Sequence, residues 1–194
     1  MLGVVAWGAV LAQPVTIGTT TYDLQTNSAN KSRLHVYDDG KVSALWTGST
    51  SLAATFSDRG MFFNKYNGTT WGGFPTARIE GVRTGFGEII NVGDHEIVLS
   101  HDGTNIRVYK NATIGGTTWT ETAGSTDITG LWPNAYCPAG TNDVYVVNAN
   151  ASSPTLIYFS RSTDGGENWE VLEYVLPYLT TAEGFGAITA SRLS

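Results

Sequence analysis

The feature that most constrains the fold is a glycine-containing turn closed by tryptophan, which occurs three times along the chain. The three turns are Asn67-Gly68-Thr69-Thr70-Trp71, Gly115-Gly116-Thr117-Thr118-Trp119 and Gly165-Gly166-Glu167-Asn168-Trp169, and their tryptophans stand 48 and 50 residues apart. A second marker keeps the same phase: Gly85-Phe86-Gly87, Gly130-Leu131-Trp132-Pro133 and Gly184-Phe185-Gly186. Two markers in phase at about 50 residues indicate a repeated structural unit of that length.

Each unit carries short runs of β-branched and aromatic residues separated by turn residues. Asp38-Asp39-Gly40 separates two such runs in the first unit, and Gly93-Asp94 separates two in the second. Asp-Gly between alternating runs is a strong hairpin signal, and helical periodicity is missing outside the N-terminus. Four short antiparallel strands per repeat is the description of a propeller blade. The sequence therefore predicts an all-β propeller with about three four-stranded antiparallel blades and the start of a fourth.

The predicted blades cover residues 30–80, 81–127 and 128–180, and residues 181–194 begin the next one. Three blades do not close a ring, and an unclosed ring leaves sheet edges and an apolar face exposed. We therefore expect an incomplete ring, either a truncated chain or an open arc, whose remaining blades belong to a longer chain. Residues 13–29 form a predicted N-terminal strand segment, which in an intact ring would complete the final blade.

The apolar start of the chain, residues 1–12, is typical of a signal peptide, because Val10-Leu11-Ala12 supplies small residues at a cleavage site. The usual preceding basic segment is missing, so a clipped or misassigned start, or a buried first strand, is the alternative. We expect a secreted or cell-surface protein. The run is too short to span a bilayer, so no membrane span is predicted.

Composition and charge exclude several partners. The formal net charge is -6, and the 11 lysines and arginines do not cluster, so no nucleic-acid partner is predicted. Cys137 is the single cysteine and the three histidines have no metal-ligand spacing. We expect neither a metal site nor a cofactor.

The third tryptophan turn matches the pattern Ser-x-Asp-x-Gly-x-x-Trp through Ser162, Asp164, Gly166 and Trp169. The serine and aspartate oxygens can accept backbone N–H groups in a tight turn, and glycine allows a positive φ. Tryptophan can pack over the hairpin. In the other two turns, Tyr66 and Ile114 stand where aspartate is expected. We assign these four residues a structural role.

On these motifs, residues 30–190 resemble the sialidase-like Asp-box (BNR-repeat) propellers. The resemblance implies a central pocket with an arginine that grips a sugar carboxylate and, about two dozen residues later, an aspartate acid. Arg33 and Asp58 are 25 residues apart and are the matching candidates. His35 stands where that family has proline, and the family's tyrosine nucleophile and further arginines would come from later blades. The alternatives are a strand-edge charge for Arg33 and a turn cap for Asp58.

Four further residues are candidates for ligand binding. Arg78, Glu80 and Arg83 precede the inner strand of the second blade, so their side chains could reach a central pocket; a surface ion pair is the alternative. Trp132, at the entry of the third blade, could stack on a sugar, or else make a contact between blades.

The function expected from the resemblance is a secreted propeller that acts on or binds a glycan or glycoprotein. In full-length form it would be an exo-alpha-sialidase-type glycoside hydrolase, and the 194-residue piece is expected to be inactive. The alternative is a non-catalytic extracellular module that binds glycan or protein, since one scaffold hosts many functions.

Overall fold

The chain folds as an all-β protein. The structure is a computed structural model that describes residues 13–25, 32–150 and 156–180, and these residues contain strands, turns and loops but no helix. They therefore include no helix that could cross a membrane. The strands are β1 (Leu34–Val36), β2 (Val42–Gly48), β3 (Gly60–Tyr66), β4 (Gly85–Val92), β5 (His95–His101), β6 (Ile106–Asn111), β7 (Thr120–Glu121), β8 (Leu131–Tyr136), β9 (Val144–Ala149), β10 (Leu156–Ser162) and β11 (Val171–Thr180).

The strands form three antiparallel sheets, each built from strands that follow one another in the chain. Sheet 1 has the order β1-β2-β3, sheet 2 the order β4-β5-β6-β7 and sheet 3 the order β8-β9-β10-β11. Their spans correspond to the three repeats expected from the tryptophan spacing. The arrangement is propeller-like, and β1, β4 and β8 are the first strands of the three sheets.

The three sheets pack face to face, with sheet 2 in the middle. Because side chains alternate between the two faces of a strand, β4 and β5 contribute to two separate cores. Ile89 and Val98 pack on Leu45, Met61 and Phe63 of sheet 1. The neighbouring Ile90, Ile97 and Leu99 instead pack toward Val144 and Val146 of sheet 3.

Sheet 1 has three strands and not the predicted four. After β3 the chain turns at Asn67-Gly68 and pairs once more through an isolated bridge between Tyr66 and Trp71. Gly72-Gly73 and Pro75 follow at once. Glycine gains little from strand packing and proline has no N–H to donate, so a fourth strand does not extend from the bridge.

Residues 13–25 are not a strand, in contrast to the prediction for the segment 13–29. They make one described backbone–backbone hydrogen bond to the sheet 1 region, from Thr21 N to Ser49 O at 2.9 Å, directly after β2. The segment crosses the outward face of sheet 1, where Gly18 lies against the indole of Trp46 and Ile17 O accepts a hydrogen bond from Asn64 at 2.6 Å. Part of the face that we expected to be open is thus covered, while Leu34 and Val36 remain 62% and 68% exposed.

Three predicted segments lie outside the described residues. They are the signal peptide at 1–12, the rest of the N-terminal segment at 26–29 and the start of a fourth blade at 181–194. These expectations, and that of further blades, stay predictions.

Candidate functional site

The first strands of the three sheets come together through Glu88 of β4. Its carboxylate accepts hydrogen bonds from the backbone N–H of Ser32, at 3.3 Å, and from that of Ala135 in β8. Ile89 N also donates to Ser32 O at 2.9 Å. One buried carboxylate therefore links β4 to β8 and to the residues that lead into β1, and it marks the inner-strand side of the molecule.

β4 and β8 begin with the same irregularity, a β-bulge that carries an aromatic residue. Gly85 pairs with His101 and Glu88 with Leu99, so β4 has one extra residue; Leu131 and Asn134 of β8 bracket the same insertion opposite Ala149 and Val147. Phe86 and Trp132 stand within these bulges, and both have φ of 54°. An aromatic residue in the left-handed region is strained, and bulges that re-aim side chains occur next to active sites. This bulged end of the sheets is therefore the candidate site.

The bulges explain why glycines flank the aromatic residue in the second sequence marker. A Cβ at Gly87 would approach Leu99 O to 2.5 Å, and a Cβ at Gly130 would approach Ala149 O to 2.2 Å. Gly130 also has φ of 120°. The bulges bring backbone so close to the neighbouring strand that only glycine fits.

A row of aromatic rings crosses the bulged end. The ring of Phe86 stacks on His101 with centroids 5.5 Å apart, and His101 meets Trp132 edge to face at 6.2 Å. On the other side, Tyr22 meets Phe86 at 6.3 Å and Phe56 at 5.1 Å. The row therefore joins the N-terminal segment, sheet 2 and sheet 3. Trp132 is half-buried and contacts sheet 2 through His101, as the blade-contact alternative predicted, while part of its surface stays accessible.

Arg59 is held within this row. Its guanidinium carbon lies 5.0 Å from the ring centroid of Tyr22 and 5.5 Å from that of Phe86. It donates to Thr84 O at 2.8 Å and to the Tyr22 hydroxyl at 3.2 Å. Burial, and the positive charge of Arg83 nearby, lower the pKa of Arg59.

Two of the predicted ligand-binding arginines reach the same place. Arg83 donates from Nε to Phe56 O at 3.0 Å, and Arg78 donates from Nη1 to Ser57 O at 3.1 Å and to Arg59 O at 3.3 Å. Arg83 is exposed and Arg78 is half-buried. The turn over residues 56–59 thus gathers three arginines, which we call the arginine turn (Arg59, Arg78 and Arg83).

Glu80 is buried between sheets 1 and 2, and its carboxylate does not form the surface ion pair with Arg78 that is the alternative to ligand binding. Its carboxylate accepts hydrogen bonds from Met61 N at 2.9 Å and from the Ser100 hydroxyl at 2.6 Å. Arg78 donates instead to the backbone oxygen of Glu80, at 2.9 Å. Burial raises the pKa of Glu80, against these hydrogen bonds.

Arg33 lies directly before β1, and its guanidinium is hydrogen-bonded to Gln25. Nη1 donates to the side-chain oxygen of Gln25 at 2.9 Å, and Nη2 donates to its backbone oxygen. Burial lowers the pKa of Arg33 to about 10, with an opposing contribution from Glu88. Both terminal nitrogens of the guanidinium therefore already have acceptors, so fewer of their N–H groups remain for a sugar carboxylate.

Asp58 lies in the loop between β2 and β3, next to Arg59. Its carboxylate accepts hydrogen bonds from the Ser49 hydroxyl, from Thr50 N and the Thr50 hydroxyl, both at 2.7 Å, and from Ser51 N at 3.2 Å. These hydrogen bonds lower the pKa of Asp58, and the bond from Ser49 contributes most. A general acid has to hold a proton near neutral pH, so this environment favours the turn-cap alternative over acid catalysis.

The predicted Asp-box residues form the turn between β10 and β11, at the opposite end of the sheets. Ser162 Oγ accepts from Gly166 N at 2.9 Å, and the Asp164 carboxylate accepts from Asn168 N at 2.9 Å. Gly166 has φ of 85°, as the motif requires. The Trp169 indole reaches sheet 2, where Nε1 donates to Gly124 O at 3.0 Å. The local geometry agrees with a structural role, and the family assignment itself stays a prediction.

Sequence reasoning found two members of the aromatic row and missed the rest. Phe86 and Trp132 stood in the in-phase marker, and Arg59 stood beside Asp58. Nothing in the sequence pairs Tyr22 with Arg59, which is 37 residues away. In the described residues, no group of three or more histidine, cysteine or carboxylate side chains could hold a metal ion.

Comparisons with known proteins support the fold. No family model matches the chain, and no curated protein matches its sequence. Among solved structures, the chain is similar to Zg3597, a family 117 glycoside hydrolase produced by the marine bacterium Zobellia galactanivorans. The TM-score is 0.53 at 12% identity, over 77% of this chain and 56% of that one. The chain therefore spans little more than half the length of that enzyme, and the likeness shows a propeller-like fold alone.

A second solved structure is the catalytic domain of the Coprinopsis cinerea GH62 alpha-L-arabinofuranosidase. The match has a TM-score of 0.35 at 9% identity and covers 80% of this chain and 71% of that one. At that score it adds nothing to the first comparison.

Proposed function

We propose that this chain is the glycan-binding part of a β-propeller protein, and that the bulged end of its sheets is the ligand-binding end. The observation that carries the proposal is the repeated bulge. In two successive sheets it holds an aromatic residue, Phe86 or Trp132, in the same strained conformation at the start of the inner strand. Strain that recurs at one end of a fold is typical of a functional site.

Trp132 is the residue that can present an aromatic face to a sugar. Phe86 is 6% exposed and lies between other rings, whereas Trp132 is half-buried. Ligand sites combine aromatic surface with a few fixed polar groups, and here the arginine turn supplies the polar groups. The similar solved structure is described as a glycoside hydrolase, which agrees with a carbohydrate ligand.

The test is binding of oligosaccharides to the native protein and to Trp132→Leu. We expect the substitution to weaken binding roughly fivefold, because aromatic packing contributes about 1 kcal/mol beyond area burial. Glycan-induced quenching of tryptophan fluorescence should fall with it. Trp71→Leu, a half-buried tryptophan at the opposite end, is the matched control and should bind normally. Equal binding by both variants, with melting temperatures near that of the native protein, would contradict the proposal.

An exo-glycosidase of sialidase type is the second candidate, with Arg33 on the sugar carboxylate and Asp58 as the acid. It is supported by the hydrolase identity of the similar structure and by the position of Asp58 beside the arginine turn. Its test is hydrolysis of a fluorogenic sialoside by the full-length protein and by Asp58→Asn. Loss of turnover in the variant would favour catalysis, and turnover that is absent or unaffected by the substitution would reject it.

Export is proposed on residues 1–12 alone. N-terminal sequencing of protein recovered outside the cells should read from Gln13 if Ala12 precedes the cleavage site. An intact Met1 there would contradict it.

A further inference from the structure

The arginine turn differs from Arg107 and Arg161 in having no carboxylate partner. Arg107 pairs with Asp102 at 2.7 Å and with Glu121 at 3.0 Å, and Arg161 pairs with Asp143 at 3.0 Å. Within the part of the chain that the structure describes, no carboxylate lies within ion-pair distance of the three arginines of the turn. The one carboxylate inside the turn, Asp58, is taken up by Ser49, Thr50 and Ser51.

The arginines of the turn are fixed by backbone oxygens and not by charge. Arg59, Arg78 and Arg83 each use Nε to donate to a carbonyl, on Thr84, Glu80 and Phe56 respectively. A backbone carbonyl orients a guanidinium without neutralising it. For Arg83, which is exposed, neither terminal nitrogen donates to another described residue. The fork that binds carboxylate or sulfate oxygens is therefore left available.

The setting of these charges is also unusual for the molecule as a whole. The chain carries a formal charge of -6, yet three of its arginines meet on one short turn, where like charges repel. The positive charge of Arg83 acts on Arg59, and an incoming anion would offset that repulsion. The turn adjoins the aromatic row through Arg59, which lies against Phe86. An anionic group bound at the turn would therefore lie at the same end of the sheets as a sugar ring on Trp132.

We infer that the arginine turn recognises the anionic groups of an acidic glycan, carboxylate or sulfate, through Arg83 with Arg59 behind it. This inference rests on the proposed function, since it names the class of glycan that the bulged end binds. It also assigns anion recognition to residues other than Arg33, whose outer nitrogens are engaged by Gln25.

The test compares four immobilised probes: polygalacturonate, a sulfated galactan, an uncharged galactan and a single-stranded oligonucleotide. The proteins are the native chain, Arg83→Gln and Arg161→Gln, which removes the same charge from sheet 3. We expect Arg83→Gln to weaken binding to the preferred charged glycan about tenfold, and Arg161→Gln to leave it unchanged. Added salt should weaken this binding too. The polygalacturonate and sulfated-galactan probes identify which anion is read.

The outcomes separate this inference from the proposed function. Equal binding to charged and uncharged galactan, unaffected by Arg83→Gln, would overturn the inference and leave glycan binding standing. Failure of every glycan to bind the folded protein would overturn both. Arg83-dependent binding that is tighter to the oligonucleotide than to either acidic glycan would overturn the glycan assignment, because the turn would then be a site for nucleic acid.

Discussion

The two faces of strand β5 meet their neighbours in different ways. Toward sheet 1, Glu96, Val98 and Ser100 alternate polar and apolar groups. Glu96 accepts hydrogen bonds from the Tyr37 and Ser43 hydroxyls and from Gly115 N, while Ser100 donates to Glu80. Toward sheet 3, Ile97 and Leu99 enter a core made of aliphatic side chains, most of them fully buried.

The difference shows that successive sheets of a repeated fold can be joined by two kinds of contact. Glu80 and Glu96 are buried carboxylates at the sheet 1–sheet 2 junction, and each is hydrogen-bonded across the junction. The sheet 2–sheet 3 junction depends mainly on apolar burial, with the hydrogen bonds of Ala135 to Glu88 and of Trp169 to Gly124 as polar contacts. We therefore expect the first junction to be sensitive to hydrogen-bond loss and to pH, and the second to cavity formation.

The largest effect is expected from Glu96→Ala. The substitution leaves three donors in a buried site without their acceptor, at a cost of about 4 kcal/mol in the free energy of unfolding. Urea denaturation followed by circular dichroism measures it. Glu96→Gln keeps an acceptor oxygen and should cost less than half as much; a cost below about 1 kcal/mol for Glu96→Ala would show that the polar junction is not specific.

Leu99→Ala tests the opposite face of the same strand. Leu99 is fully buried, so the cavity should lower the free energy of unfolding by about 3 kcal/mol. The control is Leu172→Ala, where the side chain is 47% exposed and the effect should stay within about 0.5 kcal/mol. Similar losses in the two variants would contradict the view that this junction depends on apolar burial.

Glu80 gives the polar junction a pH dependence. Because burial raises its pKa in the folded protein, the folded state holds this proton more tightly than the unfolded state. The associated stabilisation is complete below the ordinary pKa of 4.5 and is lost as pH rises through the raised pKa. In a denaturation series from pH 4 to 8, Glu80→Gln should therefore gain stability relative to the native protein as pH rises. A constant difference across the series would rule out this account.

Trp169→Phe is expected to have the smallest effect. The ring still packs at the rim of the apolar junction, but the hydrogen bond to Gly124 O is lost, at a cost of about 1 kcal/mol. Trp119→Phe is the matched change in sheet 2. Trp119 meets Phe63 edge to face, and its indole nitrogen donates to no described residue, so its loss should be smaller when measured by thermal denaturation. The reverse order would contradict the assigned contacts.

Much of the fold followed from local patterns in the sequence. The in-phase tryptophan turns predicted three sheets with boundaries near those observed, and Asp38-Asp39-Gly40 and Gly93-Asp94 predicted two of the hairpins. The prediction of a fourth strand in sheet 1 was wrong because the tryptophan turn there leads into Gly72-Gly73 rather than into β-branched residues. The prediction of an N-terminal strand was wrong for residues 13–25. Their composition suits a strand, but no neighbouring strand pairs with them along their length.

The candidate site was less accessible to prediction, since its partners are distant in sequence. The marker containing Phe86 and Trp132 was visible, but a bulge depends on how two strands register, which the period of the repeat does not encode. Arg78, Glu80 and Arg83 were singled out together, yet the fold directs Glu80 into a sheet junction and the two arginines onto the arginine turn. That separation arises from the loop between β2 and β3, whose carbonyl groups receive both arginines.

The two bulges have a consequence for how such a surface can change. An extra residue in an inner strand lies outside the alternation that assigns its neighbours to one core or the other. The side chain at that position can therefore be exchanged without redirecting any residue further along the strand. Phe86 and Trp132 already differ in size on equivalent sites, so sheets 2 and 3 each contribute an independently adjustable contact to a shared rim, and recognition can diverge while the packing between sheets stays the same.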